Sequence, residues 1–143
     1  MIKHPIGIFI SGRGSNLKSI VDACKEQEYP AEIKVVFSNN KNAPGLSFAK
    51  ENNLEAITLD YHNFKNTEEY EEKIISLLKP YDLELICLAG YMKILSKKLI
   101  DHYPNKIINI HPSLLPKYKG LNTHQRVLEN NETKTGCTVH YVN

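Results

Sequence analysis

Asn109 and His111 stand two residues apart, after the short apolar run Ile107-Ile108 and at the head of the proline-punctuated stretch His111-Pro112-Ser113-Leu114-Leu115-Pro116. Side chains alternate across a strand, so residues two apart share one face. The pair therefore sets a neutral amide donor beside a titratable imidazole. Acyl transfer uses such a pair. Its tetrahedral intermediate carries an oxyanion that preorganised donors stabilise. Its leaving amine needs a proton, which histidine can give near neutral pH. The same two residues also fit a structural histidine satisfied at a strand end, and the pair alone does not decide.

A second chemistry-bearing segment is Ser11-Gly12-Arg13-Gly14-Ser15-Asn16, between the apolar run Ile6–Ile10 and a helical periodicity at Leu17, Ile20, Val21 and Cys24. Glycines let backbone N–H groups turn inward, and a helix N-terminus favours an anion. Gly12, Arg13, Gly14, Ser15 and Asn16 are thus candidate substrate-binding residues. The segment is a poor dinucleotide fingerprint: Leu17 stands where a third glycine belongs, and Ser38-Asn39-Asn40 offers no acid for a ribose. It is not a Walker loop, because no Gly-Lys-Ser/Thr follows. A phosphate monoester fits best; a tight turn without a ligand is the alternative.

The third segment is Leu88-Ala89-Gly90-Tyr91-Met92-Lys93-Ile94-Leu95. Gly90 permits close backbone approach to a ligand. Met92, Ile94 and Leu95 can line a flat apolar slot for an aromatic ring, or belong to the core. His124, at the start of a polar stretch, reads as a surface or capping histidine. His140, in the alternating run Gly136–Val142, reads either as a hydrogen-bond partner near the site or as an ordinary buried histidine.

Strands are expected at Ile6–Ile10, Ile33–Phe37, Ala56–Leu59, Leu85–Ala89, Ile107–Ile110 and Cys137–Val142. Between them lie helical patterns. Pro44 opens one, at a position where its missing donor is harmless. Asn66 N-caps another with Glu69 at N3, and Tyr70, Ile74, Leu77 and Leu78 form its apolar stripe. A short helix covers Ser96–His102. This alternation predicts an α/β fold: one domain over residues 1–143, with a mostly parallel open sheet and helices on both faces. Ligands of such sheets bind beyond the carboxyl ends of the strands. The loops Ser11–Asn16, Gly90–Lys93 and His111–Gly120 leave those ends and should converge on one cleft.

The bulk properties exclude several classes. A net charge of +2, with acids and bases interleaved, does not point to nucleic acid. No apolar stretch approaches the roughly 20 residues that span a bilayer, and Met1–Pro5 runs into a strand without a signal-peptide core. Cys24, Cys87 and Cys137 form no C-x-x-C pair, so metal and redox roles are not expected and a reducing cytoplasm is the natural compartment.

Taken together and in this order, the three segments resemble the folate-dependent formyltransferases, and among them the family that formylates glycinamide ribonucleotide in purine biosynthesis. The likeness runs from Ile6 to Val142 and is most specific at Ser11–Asn16, Ala89–Ser96 and Asn109–Lys117. It implies a Rossmann-like formyltransferase fold, 10-formyltetrahydrofolate as cosubstrate, glycinamide ribonucleotide as acceptor, and no metal. It implies that Gly14, Ser15 and Asn16 hold the phosphoribosyl end, with Gly12, Arg13 and Gly90 in the same substrate site. Met92, Lys93, Ile94 and Leu95 would cradle the folate, with Asn109 touching it and stabilising the oxyanion, and His111 would be the proton donor. Thr67 stands where the family often has a basic folate contact, for which Lys65 is a possible substitute. The family pattern continues past Asn143 to an aspartate that pairs with the catalytic histidine. The 143 residues alone are therefore expected to be a poor catalyst, with an uncovered sheet edge that favours self-association. Alternatives are a formyltetrahydrofolate hydrolase, with water as acceptor, and a non-catalytic folate- or nucleotide-binding remnant.

Overall fold

The computed structural model describes residues 3–13, 15–112 and 137–141, and for 15, 111, 112 and 137–141 the backbone only. In chain order the elements are β1 (His4–Ile10), α1 (Ser15–Cys24), β2 (Ala31–Ser38), α2 (Pro44–Glu51), β3 (Ala56–Thr58), α3 (Thr67–Leu78), β4 (Leu85–Ala89), α4 (Lys97–His102), β5 (Ile107–Pro112) and β6 (Cys137–Tyr141). Local chemistry sets the helix starts. Pro44 occupies the first turn of α2, where no donor is needed. The Asn66 side chain accepts the Glu69 N–H at 2.8 Å, and the Glu69 carboxylate accepts the Lys65 N–H at 3.1 Å. The second bond reaches one residue upstream of the cap, a variation on the reciprocal box.

The described strands form one sheet in the order β3-β2-β1-β4-β5-β6. β1 to β5 run parallel, and β6 returns antiparallel beside β5. The sheet buries both faces. Ile6, Ile8 and Ile10 of β1 join Cys87 and Ala89 of β4 and Ile108 and Ile110 of β5 beneath α1 and α2. Phe9, Ile86, Leu88 and Ile107 face the other way, beneath α3 and α4. β2 carries a register shift that inverts which face its odd-numbered residues serve. Ile6 pairs with Ile33 but Gly7 with Val35, so Lys34 is an extra residue. Before the shift Ala31 and Ile33 face the first core; after it Val35 and Phe37 face the second. A one-residue insertion inverts side-chain parity in this way.

The strand order places the site. Connections run outward from β1 through β2 to β3, then cross back to β4 on the other side of β1. From β1 the chain leads one way, to β2, and from β4 the other way, to β5, so the connections at their carboxyl ends part and open a crevice above them.

Candidate functional site

The ends of β1, β4 and β5 lie side by side. Phe9 is level with Leu88, Leu88 with Asn109, and Asn109 with His140 of β6. Asn109 is half-buried and shares its parity with Ile107, hence the α3–α4 face. His111 lies two residues on in the same strand, level with Thr138. Position 140 is thus directly across from Asn109, while His124 lies outside the described residues.

The first loop is held from three directions. The Ser11 hydroxyl donates to Asn39 Oδ1 at 2.5 Å and accepts the Met92 N–H at 2.8 Å. The Asn40 amide donates to the Ser11 carbonyl at 3.3 Å. The Gly45 N–H, in the first turn of α2, donates to the Gly12 carbonyl at 3.1 Å. Glycine at 45 suits that approach: a Cβ there would sit 2.4 Å from Ile10 Cδ1 and 3.2 Å from the Gly12 carbonyl oxygen. Gly12 and Arg13 are exposed and Asn16 is half-buried; Gly14 lies outside the described residues, and Ser15 is described by its backbone alone. α1 follows with no acidic residue in its first turn. Its positive end is therefore not neutralised by its own side chains, which suits an anion.

The second loop leaves β4 through Gly90, whose φ is +77°. A Cβ at Gly90 would meet nothing within 4 Å, so the backbone conformation, not space, calls for glycine there. Tyr91 packs on Phe9 and Phe37, with ring centroids 5.3 and 6.3 Å apart. Burial pushes its hydroxyl above the ordinary tyrosine range, with Tyr70 and Glu71 adding to the shift. Beyond it the chain turns outward, and Met92 and Ile94 are 80% and 87% exposed.

Met92, Lys93, Ile94 and Leu95 line a cavity of about 630 Å³ together with Asn39, Asp60, Tyr61, His62, Thr67 and Ser96. The structure so brings all four predicted folate-side residues to one space. The opposing wall is polar, so this is a mixed cleft and not the flat apolar slot expected from the sequence. Thr67 is in that wall, its hydroxyl 3.1 Å from the Tyr61 hydroxyl. Lys65 is not among the lining residues. Among the described lining residues the lysine is Lys93, with Nζ 3.2 Å from the Tyr61 ring centroid, a favourable cation–π placement.

Sequence reasoning missed Asn39, which it weighed only as a failed ribose ligand, and Glu71. Glu71 is 2% exposed. Its carboxylate accepts the Ser96 N–H at 2.8 Å, the Ser96 hydroxyl at 2.5 Å and the Leu99 N–H at 2.9 Å. A signal existed: Glu71, Ile74 and Leu78 are spaced i, i+3, i+7, so a carboxylate occupies an apolar-stripe position. Among the described residues no group of three or more His, Cys, Asp or Glu could hold a metal ion. No described helix is long and apolar enough to cross a membrane.

The fold is that of a mostly parallel α/β protein whose candidate site lies at the carboxyl ends of β1, β4 and β5, and comparison with known proteins gives its family. A profile of the formyl transferase family matches residues 5–143, and the chain belongs to that family. It is 46% identical over 138 residues to the phosphoribosylglycinamide formyltransferase of Haemophilus influenzae, covering 96% of this chain and 65% of that one. Against the Escherichia coli protein of the same name it is 42% identical over 137 residues, with the same coverage of 96% and 65%. The crystal structure of glycinamide ribonucleotide transformylase 1 from Symbiobacterium toebii superposes with a TM-score of 0.79 at 37% identity, covering 99% of this chain and 66% of that one. The chain thus spans about 65% of the length of these two curated relatives.

Proposed function

We propose that this chain forms the catalytic core for formyl transfer from 10-formyltetrahydrofolate to the amine of glycinamide ribonucleotide, a step of purine biosynthesis, in a reducing cytoplasm where Cys24 and Cys87 are free thiols. The observation that carries the proposal is the adjacency of the ends of β1, β4 and β5. The first loop, the Met92–Leu95 cleft and the Asn109–His111 positions share, in this reading, the carboxyl end of the sheet. The names of the relatives support the same substrates.

In this reading the N-terminus of α1 and the Gly12–Asn16 loop hold the phosphoribosyl end. The 630 Å³ cleft takes part of the folate. The acceptor amine attacks the formyl carbon and a new C–N bond forms. Asn109 donates to the oxyanion of the tetrahedral species. The bond from carbon to the folate nitrogen then breaks, and that nitrogen takes a proton delivered by His111. The amine gives up one proton, so the exchange balances. The test is release of deformylated folate by the full-length protein with and without glycinamide ribonucleotide. Release only with the amine is expected. Release without it would make the protein a hydrolase, and tight binding of folate without release would leave a binding protein.

A further inference from the structure

Six residues, Gly90 to Leu95, connect β4 to the cap of α4. Among the described residues no backbone–backbone hydrogen bond outside the regular elements reaches any of them. Their polar anchors are few: Glu71 grips Ser96 at the far end, and Ser11 takes the Met92 N–H near the middle. Ser11 belongs to a different loop, the one that begins at the end of β1, 81 residues earlier in the chain. A hydroxyl has one proton and two lone pairs. The proton is committed to Asn39 Oδ1, which turns a lone pair toward Met92. Asn39 itself lines the cleft. One hydroxyl so ties together the segments that follow β1, β2 and β4.

We propose that Ser11, oriented by Asn39, is a positioning residue for the folate side of the site. It stands at the root of the phosphate loop but sets the height of Met92–Leu95 over the cleft. The proposal rests on the formyl-transfer reading for its ligand, and on geometry alone for the anchor. Its distinctive consequence is a crossed effect: damage at the start of the first loop is felt by the ligand of the second.

The experiment uses the full-length protein with Ser11→Ala, Ser11→Thr, Asn39→Ala and the double variant Ser11→Ala/Asn39→Ala. Two readouts are taken: hydrogen exchange of the Met92 amide in the unliganded protein, and separate dissociation constants for 10-formyltetrahydrofolate and glycinamide ribonucleotide. Loss of one net hydrogen bond corresponds to about a 2- to 12-fold change. Ser11→Ala is expected to speed Met92 exchange and weaken folate binding by that factor, with amine-substrate affinity within about twofold of wild type. Ser11→Thr restores both, and the double variant is no worse than Ser11→Ala, because the two residues act as one unit. Unchanged Met92 exchange in Ser11→Ala would overturn the anchor. Faster exchange with unaltered folate affinity would overturn its role in the site. A wild-type protein that binds neither ligand would sink the formyl-transfer reading while the exchange result still decides the anchor.

Discussion

Glu71 of α3 and Ser96 at the head of α4 are locked together by two hydrogen bonds, 2.5 Å to the hydroxyl and 2.8 Å to the backbone N–H, and the same carboxylate takes the Leu99 N–H. One buried side chain thus satisfies two of the donors that the start of a helix leaves open, and it fixes the end of the cleft-forming loop.

Glu71→Gln keeps the shape but places an amide N–H where an acceptor is needed. A buried donor left without its partner is destabilising by about 1–3 kcal/mol, and the same loss is expected in urea unfolding of this variant. Folate affinity should fall with it, because Met92–Leu95 loses its distal anchor. A Glu71→Gln protein within about 0.5 kcal/mol of wild type would show that the contact is incidental.

Gly45→Ala should act on the first loop. The added methyl group would lie 2.4 Å from Ile10 Cδ1 and 3.3 Å from the Arg13 carbonyl oxygen, so the Ile10 side chain must shift and α2 and the first loop must ease apart. Overpacking of this kind is destabilising by about 1–3 kcal/mol. Calorimetric titration is expected to show a larger loss of affinity for glycinamide ribonucleotide than for folate. The reverse order would detach α2 from the phosphate side.

Alkaline pH should weaken the fold through Cys87. Burial, with a smaller push from Cys24, raises its thiol from an ordinary 9.0 to about 12. An acid whose folded value is raised stabilises the fold fully below its unfolded value, and that contribution is lost as pH rises toward the folded one. The stability of the wild-type protein should therefore decline between pH 9 and 12 more steeply than that of Cys87→Ala. Denaturant unfolding at several pH values checks this, and parallel declines in the two proteins would remove Cys87 from the account.

The strands and helices were readable because their signals are local. Leu85–Ala89 is a continuous apolar run and becomes β4 with those bounds; Asn66 and Glu69 announce the start of α3 three residues apart. The cleft-side residues were readable as a group for the same reason, since Met92 to Leu95 are consecutive. What holds them was not. Ser11 meets Met92, and Glu71 meets Ser96, across 81 and 25 residues. Such pairings appear only once the sheet order is known. The extra residue at Lys34 was hidden too, because Val35-Val36-Phe37 is apolar throughout and its parity cannot be read without β1 beside it. The polar wall of the cleft comes from the turn Tyr61–Asn63 and from Asn39, segments whose composition alone reads as loop.

The most direct test of the account follows one carbon. The full-length protein is given 10-formyltetrahydrofolate labelled at the formyl carbon together with glycinamide ribonucleotide, and the label is traced in wild type and in His111→Ala. Wild type is expected to place the label on the amine. His111→Ala should do so about 10²- to 10⁴-fold more slowly, the usual worth of a general acid–base group, with both ligands still bound. Label released as formate, or a His111→Ala protein that transfers at nearly the wild-type rate, would contradict it.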